Sequence, residues 1–217
     1  MLMEKERQDI IYYSQKMAES GLTKGTGGNI SVYDRELGYV AITPSAVDYD
    51  ELKPEDIAIV KLDGTQVEGD YLPSSEKDMH LLCYKKRDDI QAVVHTHSLY
   101  AIIMACLHEE IPPVHYLIGF AKGRVKCIPY YPFGSMELAI ATSEGLEDKN
   151  AVLLGNHGLL AVGADVKHAY SVAEIIEFVA EIYYKTSLKG APQILSDDDM
   201  EEVYRRFDAY RKSKPSS

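Results

Sequence analysis

The residue pattern predicts an α/β protein: one domain spanning residues 1–217, with helices packed on a central sheet. Two observations predict it. Short apolar runs of strand length are mixed with amphipathic helical stretches along the whole chain, the signature of layered α/β domains. The length of 217 residues, with 46% hydrophobic and 26% charged residues, suits one large core that needs neither disulfides nor a structural metal.

The elements follow in order. Residues 4–19 put Ile10, Tyr13 and Met17 on one face and charges on the other, a helix that Gly21 ends. The run Gly25-Thr26-Gly27-Gly28-Asn29 is rich in turn residues. Residues 39–43 and 57–60 read as strands. Residues 75–87 read as a helix with Ser74 or Ser75 as N-cap and acids in its first turn. Residues 92–95 form a buried strand, and a helix over 99–107 is closed by Ile111-Pro112-Pro113. Residues 125–129 give a short strand and 136–145 a helix. Residues 151–154 and 159–162 are strands joined by Gly155-Asn156-His157-Gly158. The longest helix covers about 165–188, with Ala169, Val172, Ala173, Ile176, Ala180 and Tyr183 on its inner face. A last helix starts near Ser196 and turns Met200, Val203, Phe207 and Tyr210 inward; residues 212–217 are expected as a frayed tail.

Charge narrows the function. Lys and Arg total 23 against 34 Asp and Glu, a net charge of −11. Such a field repels polyanions and argues against nucleic acid as a partner. A small anionic substrate stays open, because a pocket sets its own potential. Cys83, Cys106 and Cys127 form no CxxC spacing, which suits a reducing compartment. The charged N-terminus has no apolar signal core, and no run reaches the length of a membrane span. The expectation is a cytoplasmic protein with no membrane partner.

The sharpest chemical feature is His95-Thr96-His97 at the end of an apolar strand. Positions i and i+2 of a strand share a face, so two imidazoles can aim at one point. Two His supply half of a tetrahedral zinc set. His157, in a tight turn between two apolar strands, would complete three ligands and leave an open position. His80 and His168 lie on helices and read as packed or solvated. Pro73-Ser74-Ser75-Glu76 at a helix start is an anion site or a plain N-cap. The glycines of residues 25–31 let backbone N–H groups approach a phosphate, without a Walker or dinucleotide spacing. Thr43-Pro44-Ser45-Ala46 is a small-residue turn after a strand.

In this order the motifs Gly-Thr-Gly-Gly-Asn-Ile-Ser, Ile-Thr-Pro-Ser-Ala, Pro-Ser-Ser-Glu, Val-Val-His-Thr-His and Asn-His-Gly resemble the class II aldolase/adducin family over nearly the whole chain. The branch that cleaves L-fuculose 1-phosphate is the most similar. It is supported by Ile111-Pro-Pro-Val-His-Tyr116, Pro129-Tyr-Tyr-Pro-Phe133-Gly134 and Leu195-Ser-Asp-Asp-Asp-Met, with Tyr210 beyond.

The resemblance implies a three-layer α/β/α fold with a nine-stranded, mainly antiparallel sheet. It implies one Zn²⁺ or other divalent metal per subunit, held by His95, His97, His157 and Glu76. It implies a substrate-phosphate pocket at Gly28, Asn29, Ser45, Ala46, Ser74 and Ser75. Where the family enzyme has Thr-Gly this chain has Ser45-Ala46, which adds a Cβ where backbone approaches phosphate or takes positive φ. The implied reaction is reversible aldol cleavage of L-fuculose 1-phosphate to dihydroxyacetone phosphate and L-lactaldehyde. Glu76 would move the proton at the enediolate carbon, Tyr116 from a neighbouring subunit would handle the O4 proton, and Phe133 and Tyr210 would position the aldehyde. A homotetramer would set its active sites at subunit interfaces. Alternatives in the family are aldolases of 5-deoxyribulose or rhamnulose 1-phosphate, an L-ribulose-5-phosphate 4-epimerase and a methylthioribulose-1-phosphate dehydratase. An adducin-like binding module without catalysis is the alternative of another class.

Overall fold

In the computed structural model the backbone is described for residues 1–213, with side chains through Phe207 and at Ala209. Helix α1 (Glu4–Glu19) buries Ile10 and Met17 completely and stops at Gly21, whose φ is +73°. The next four strands are β1 (Asn29–Asp34), β2 (Tyr39–Ile42), β3 (Ala58–Lys61) and β4 (Gln66–Glu68). Helix α2 (Lys77–Lys86) leads to β5 (Ala92–Thr96), and α3 (Leu99–Leu107) to β6 (Cys127–Ile128). The remainder is α4 (Met136–Leu146), β7 (Ala151–Leu154), β8 (Gly158–Gly163), α5 (Val166–Ser187) and α6 (Asp197–Ser213).

All eight strands join one sheet in the order β4-β3-β2-β1-β5-β8-β7-β6. Every pairing is antiparallel except β6 with β7. The two-residue period of a strand divides the core. Ile30, Ala41, Ile59, Val94, Leu159 and Ala161 pack with α1, α3 and α5. Val40, Ile42, Val60, Val93, Leu160 and Val162 pack with α2 and α4. The result is the expected three layers, α/β/α.

Several expectations need correction. Among the described residues the sheet has eight strands, not nine. Two further contacts remain single bridges, Pro44 with Pro73 and Ile111 with Val125; proline has no N–H to extend a ladder, and Pro112-Pro113 follow Ile111. For the same reason the strand expected over 125–129 shrinks to β6. Strands β1 and β4 were not foreseen. Helix α2 begins two residues late: its N-cap is Glu76, with no side-chain cap. Ser74 and Ser75 sit in the preceding turn, where Glu76 N–H donates to Ser74 Oγ at 3.2 Å. Ser196 caps α6: its Oγ accepts from Asp199 N–H at 3.2 Å, and Asp199 Oδ2 accepts from Ser196 N–H at 3.0 Å. Helix α6 extends to Ser213, and residues 214–217 of the expected tail lie outside the described residues. Among the described residues no helix is long and apolar enough to cross a membrane.

Candidate active site

Strand β5 carries His95 toward the α2 face, and His97 follows one turn of the pleat later. The β7–β8 turn brings His157 beside them, because β8 lies next to β5 with Thr96 opposite Leu159. Helix α2 starts with Glu76 over the same point. His95 Nε2 lies 3.1 Å from His97 Nε2 and 3.2 Å from His157 Nε2. Glu76 Oε2 lies 3.4 Å from His95 Nε2, and Glu76 Oε1 lies 3.3 Å from His157 Nε2. Among the described residues these three His form the one cluster of that kind.

The glycines around the cluster are there for space. A Cβ on Gly158 would stand 2.3 Å from the Thr96 carbonyl oxygen, and one on Gly27 would stand 2.6 Å from His97 Nδ1. A Cβ on Gly28, at φ +73°, would stand 2.6 Å from the His95 carbonyl oxygen. The glycine run therefore serves His packing at least as much as any approach to a phosphate.

The protonation chemistry fits a cation. A carbonyl oxygen can only accept, so His95 Nδ1–H donates to Leu159 O at 2.9 Å. That leaves a lone pair on Nε2, the tautomer a metal ligand needs. Burial, and then the neighbouring His157 and His97, hold the His95 pKa well below its ordinary value. Burial likewise lowers His97 to about 4. Burial lowers His157 too, although Glu76 opposes it. The imidazoles are thus neutral at pH 7, and their contacts with Glu76 are not ion pairs. Glu76 Oε1 is buried without a hydrogen-bond partner. A tetrahedral zinc with Zn–N of about 2.0–2.1 Å spaces its nitrogens about 3.3 Å apart, close to the separations here. The residues present fit a divalent metal.

The other expected site residues fall in two groups. Asn29 is buried, and its Nδ2–H donates to Glu76 Oε2 at 2.9 Å. Ser45 ties the two small-residue loops together: its Oγ accepts from Ser75 N–H and donates to Pro73 O, both at 3.1 Å. Ser74 N–H donates to Thr43 O at 3.0 Å. Ala46 does take positive φ, +59°, a conformation that costs a β-carbon about 1 kcal/mol. Phe133 lines a cleft of about 330 Å³ together with Ser75, Glu76, His97 and His157. Tyr130, Tyr131 and Asn156 line it as well. The sequence reading missed these three, although the Pro129-Tyr-Tyr-Pro-Phe133 segment contains two of them. Tyr116 is elsewhere. It is half exposed and packs on His115 and on Phe207 of α6, with ring centroids 4.7 and 6.4 Å away. Tyr210 belongs to α6, but its side chain lies outside the described residues.

The chain also matches known proteins. Residues 8–184 match the family described as class II aldolase and adducin N-terminal domain. A 5-deoxy-D-ribulose 1-phosphate aldolase of Bacillus thuringiensis is 54% identical over 97% of this chain and 99% of that protein. A 5-methylthioribulose-1-phosphate/5-deoxyribulose-1-phosphate aldolase of Escherichia coli is 36% identical over 94% and 95%. A solved structure of an L-fuculose 1-phosphate aldolase has a TM-score of 0.94 at 43% identity, covering 96% of this chain and 98% of the other.

Proposed function

Since the chain belongs to the class II aldolase and adducin family and is an aldolase, a lyase, we propose that it cleaves 5-deoxyribulose 1-phosphate to dihydroxyacetone phosphate and acetaldehyde. The metal would be a divalent cation, zinc first, held by His95, His97, His157 and Glu76. The observation that carries the chemistry is the convergence of three imidazole Nε2 atoms beside a carboxylate with one unpartnered oxygen. The substrate rests on the 54% identity to the 5-deoxyribulose phosphate enzyme. L-Fuculose 1-phosphate, the first expectation from the motifs, becomes the second reading, supported by the 43% identical structure.

Breaking the C3–C4 bond leaves an electron pair at C3, conjugated with the C2 carbonyl. A bound divalent metal supplies Lewis-acid stabilisation of that negative charge. The chain supplies the rest. Leu159 O holds the His95 ring so that its lone pair faces the centre. In the condensing direction Glu76 Oε1 takes a proton from C3 of dihydroxyacetone phosphate, and in cleavage it returns that proton to C3. The loops of Gly28, Asn29, Ser45, Ala46, Ser74 and Ser75 hold the phosphate without an obligatory Lys or Arg. Phe133, with Tyr130 and Tyr131, offers an aromatic wall suited to the methyl end of the aldehyde. Tyr116, from a neighbouring copy in a homotetramer, would give its phenol proton to the aldehyde oxygen in condensation and take it back from O4 in cleavage, and Tyr210 would position the aldehyde. Three free cysteines suit a cytoplasmic enzyme.

The test is dihydroxyacetone phosphate release from 5-deoxyribulose, 5-methylthioribulose, L-fuculose and L-rhamnulose 1-phosphates. L-Ribulose 5-phosphate is included for epimerisation, and each run is made with EDTA and with zinc restored. Fastest, EDTA-sensitive cleavage of the 5-deoxyribulose ester is expected. A higher kcat/KM for the fuculose ester would move the substrate. No cleavage of any ester would overturn the reading.

A further inference from the structure

Behind Glu76 a file of polar side chains runs into the core between the sheet and α2. Asn29 Oδ1 lies 2.5 Å from His80 Nε2, His80 Nδ1 lies 2.7 Å from Ser31 Oγ, and Ser31 Oγ lies 2.6 Å from Tyr84 Oη. Ser31 and His80 are fully buried, and Asn29 and Tyr84 nearly so. Burying that many polar atoms is costly unless every one is paired. The proton transfer proposed for Glu76 uses none of the residues beyond Asn29.

The direction of each bond follows by elimination. Asn29 turns its Nδ2–H toward Glu76 Oε2 and therefore its Oδ1 toward His80. Oδ1 only accepts, so His80 must carry its proton on Nε2. Nδ1 is then bare, and Ser31 O–H donates to it. Ser31 has spent its one proton, so Tyr84 O–H donates to Ser31. Every donor in the file points toward Glu76. Burial holds the His80 pKa down to about 3, so the ring stays neutral.

We infer that His80 is a positioning residue for the proton transfer: its Nε2–H locks the Asn29 amide, which pins Glu76 Oε2 and leaves Oε1 as the oxygen that bears the proton. The inference rests on the reading of Glu76 given above. It matters most when Glu76 is protonated. A carboxyl with its proton on Oε2 would let the amide flip and accept from it. With His80 present that flip requires His80, Ser31 and Tyr84 to reverse together. The lock keeps the proton on Oε1, the oxygen that faces His157 Nε2 at 3.3 Å and not the Asn29 amide.

Two measurements test this. With ¹⁵N-labelled histidine, the ring nitrogens of His80 are read by NMR in the metal-free full chain and again with zinc. Protonated Nε2 and bare Nδ1 are expected; the opposite tautomer overturns the lock whether or not the chain is an aldolase. Then His80→Phe, which fills the space without a donor, is compared with His80→Gln, which keeps an N–H. The readouts are zinc affinity, KM and solvent-proton exchange at C3 of dihydroxyacetone phosphate. His80→Phe should slow exchange by about 30-fold or more, with zinc affinity and KM changed by less than about threefold. His80→Gln should recover exchange to within about fivefold of the parent. Parent-like exchange in His80→Phe overturns the proposal, as does equal loss in both variants. If His80→Phe does not fold, the tautomer and His80→Gln still decide. Full activity of Glu76→Gln would instead sink the underlying proton-transfer reading and leave the tautomer result standing.

Discussion

Gly158→Ala asks how much slack the histidine cluster has. The added Cβ would stand 2.3 Å from the Thr96 carbonyl oxygen, 3.1 Å from His97 Cδ2 and 3.3 Å from His95 Cε1. Ordinary contact begins at 3.4 Å, so the start of β8 must draw back from β5 by about 1.1 Å. Ligand distances in a metal site tolerate errors of about 0.2 Å, so the shift exceeds that tolerance several-fold. His157, the residue next to Gly158, moves with it. Overpacking of this kind costs about 1–3 kcal/mol, which a domain of this size survives. Zinc affinity, in contrast, should fall at least about tenfold. The assay is competition with a calibrated chelator, paired with urea unfolding of the metal-free protein. Gly38→Ala is the comparator: Gly38 has φ +73° but nothing within 4 Å of its missing Cβ. That variant should lose about 1 kcal/mol of stability and bind zinc like the parent. Parent-like zinc affinity in Gly158→Ala would refute the claim that the strand spacing sets the site.

Other expectations follow from the same structure. Glu76→Gln should keep the fold and lose turnover by about 100-fold or more, read by steady-state cleavage beside circular dichroism. Arg7 is fully buried and donates to Leu2 O, Pro54 O and Ile57 O, with Glu68 3.0 Å away. Arg7→Ala should therefore cost about 3–5 kcal/mol in urea unfolding, and Arg7→Lys should not restore it, because one ammonium cannot reproduce the fork. His80 has a folded pKa depressed to about 3, so the unfolded chain binds its proton first as pH falls. Its contribution is fully present above the unfolded value near 6.5 and is lost on acidification toward 3. Metal-free protein should lose at least about 2 kcal/mol between pH 7 and 5; an unchanged urea midpoint would contradict this.

Legibility of the chain varied with how local the cause was. The bounds of α1 are visible because its apolar face and Gly21 are both in the segment itself. Strand β1 is not, because two of the three residues it turns toward α2, Asn29 and Ser31, are polar groups satisfied by partners about 50 positions away. Strand β4 hides because it is short and leaves Val67 exposed. Nothing near Ser74 reveals that the Thr43–Ser45 turn is hydrogen-bonded to the start of α2 and delays it. Within the site, His95 and His97 were legible from strand periodicity, and His157 from its turn. Glu76 came through family resemblance, since a carboxylate at a helix start looks like ordinary capping. Tyr130 and Tyr131 had no signal that separates a wall of the cleft from packing in a chain with 16 tyrosines.

The pairing of β5 with β8 also has a kinetic consequence. His95 and His157 are 62 positions apart, so the complete ligand set exists only after a long loop has closed. Early in folding the chain can offer a cation just the adjacent His95 and His97, half of a set. Binding of a cation by all three His would therefore follow the docking of β8 rather than guide it. Interactions absent from the folding transition state act on the escape rate. Saturating zinc should slow unfolding and leave the refolding rate nearly untouched, making the metal a latch on the finished sheet and not a template for it.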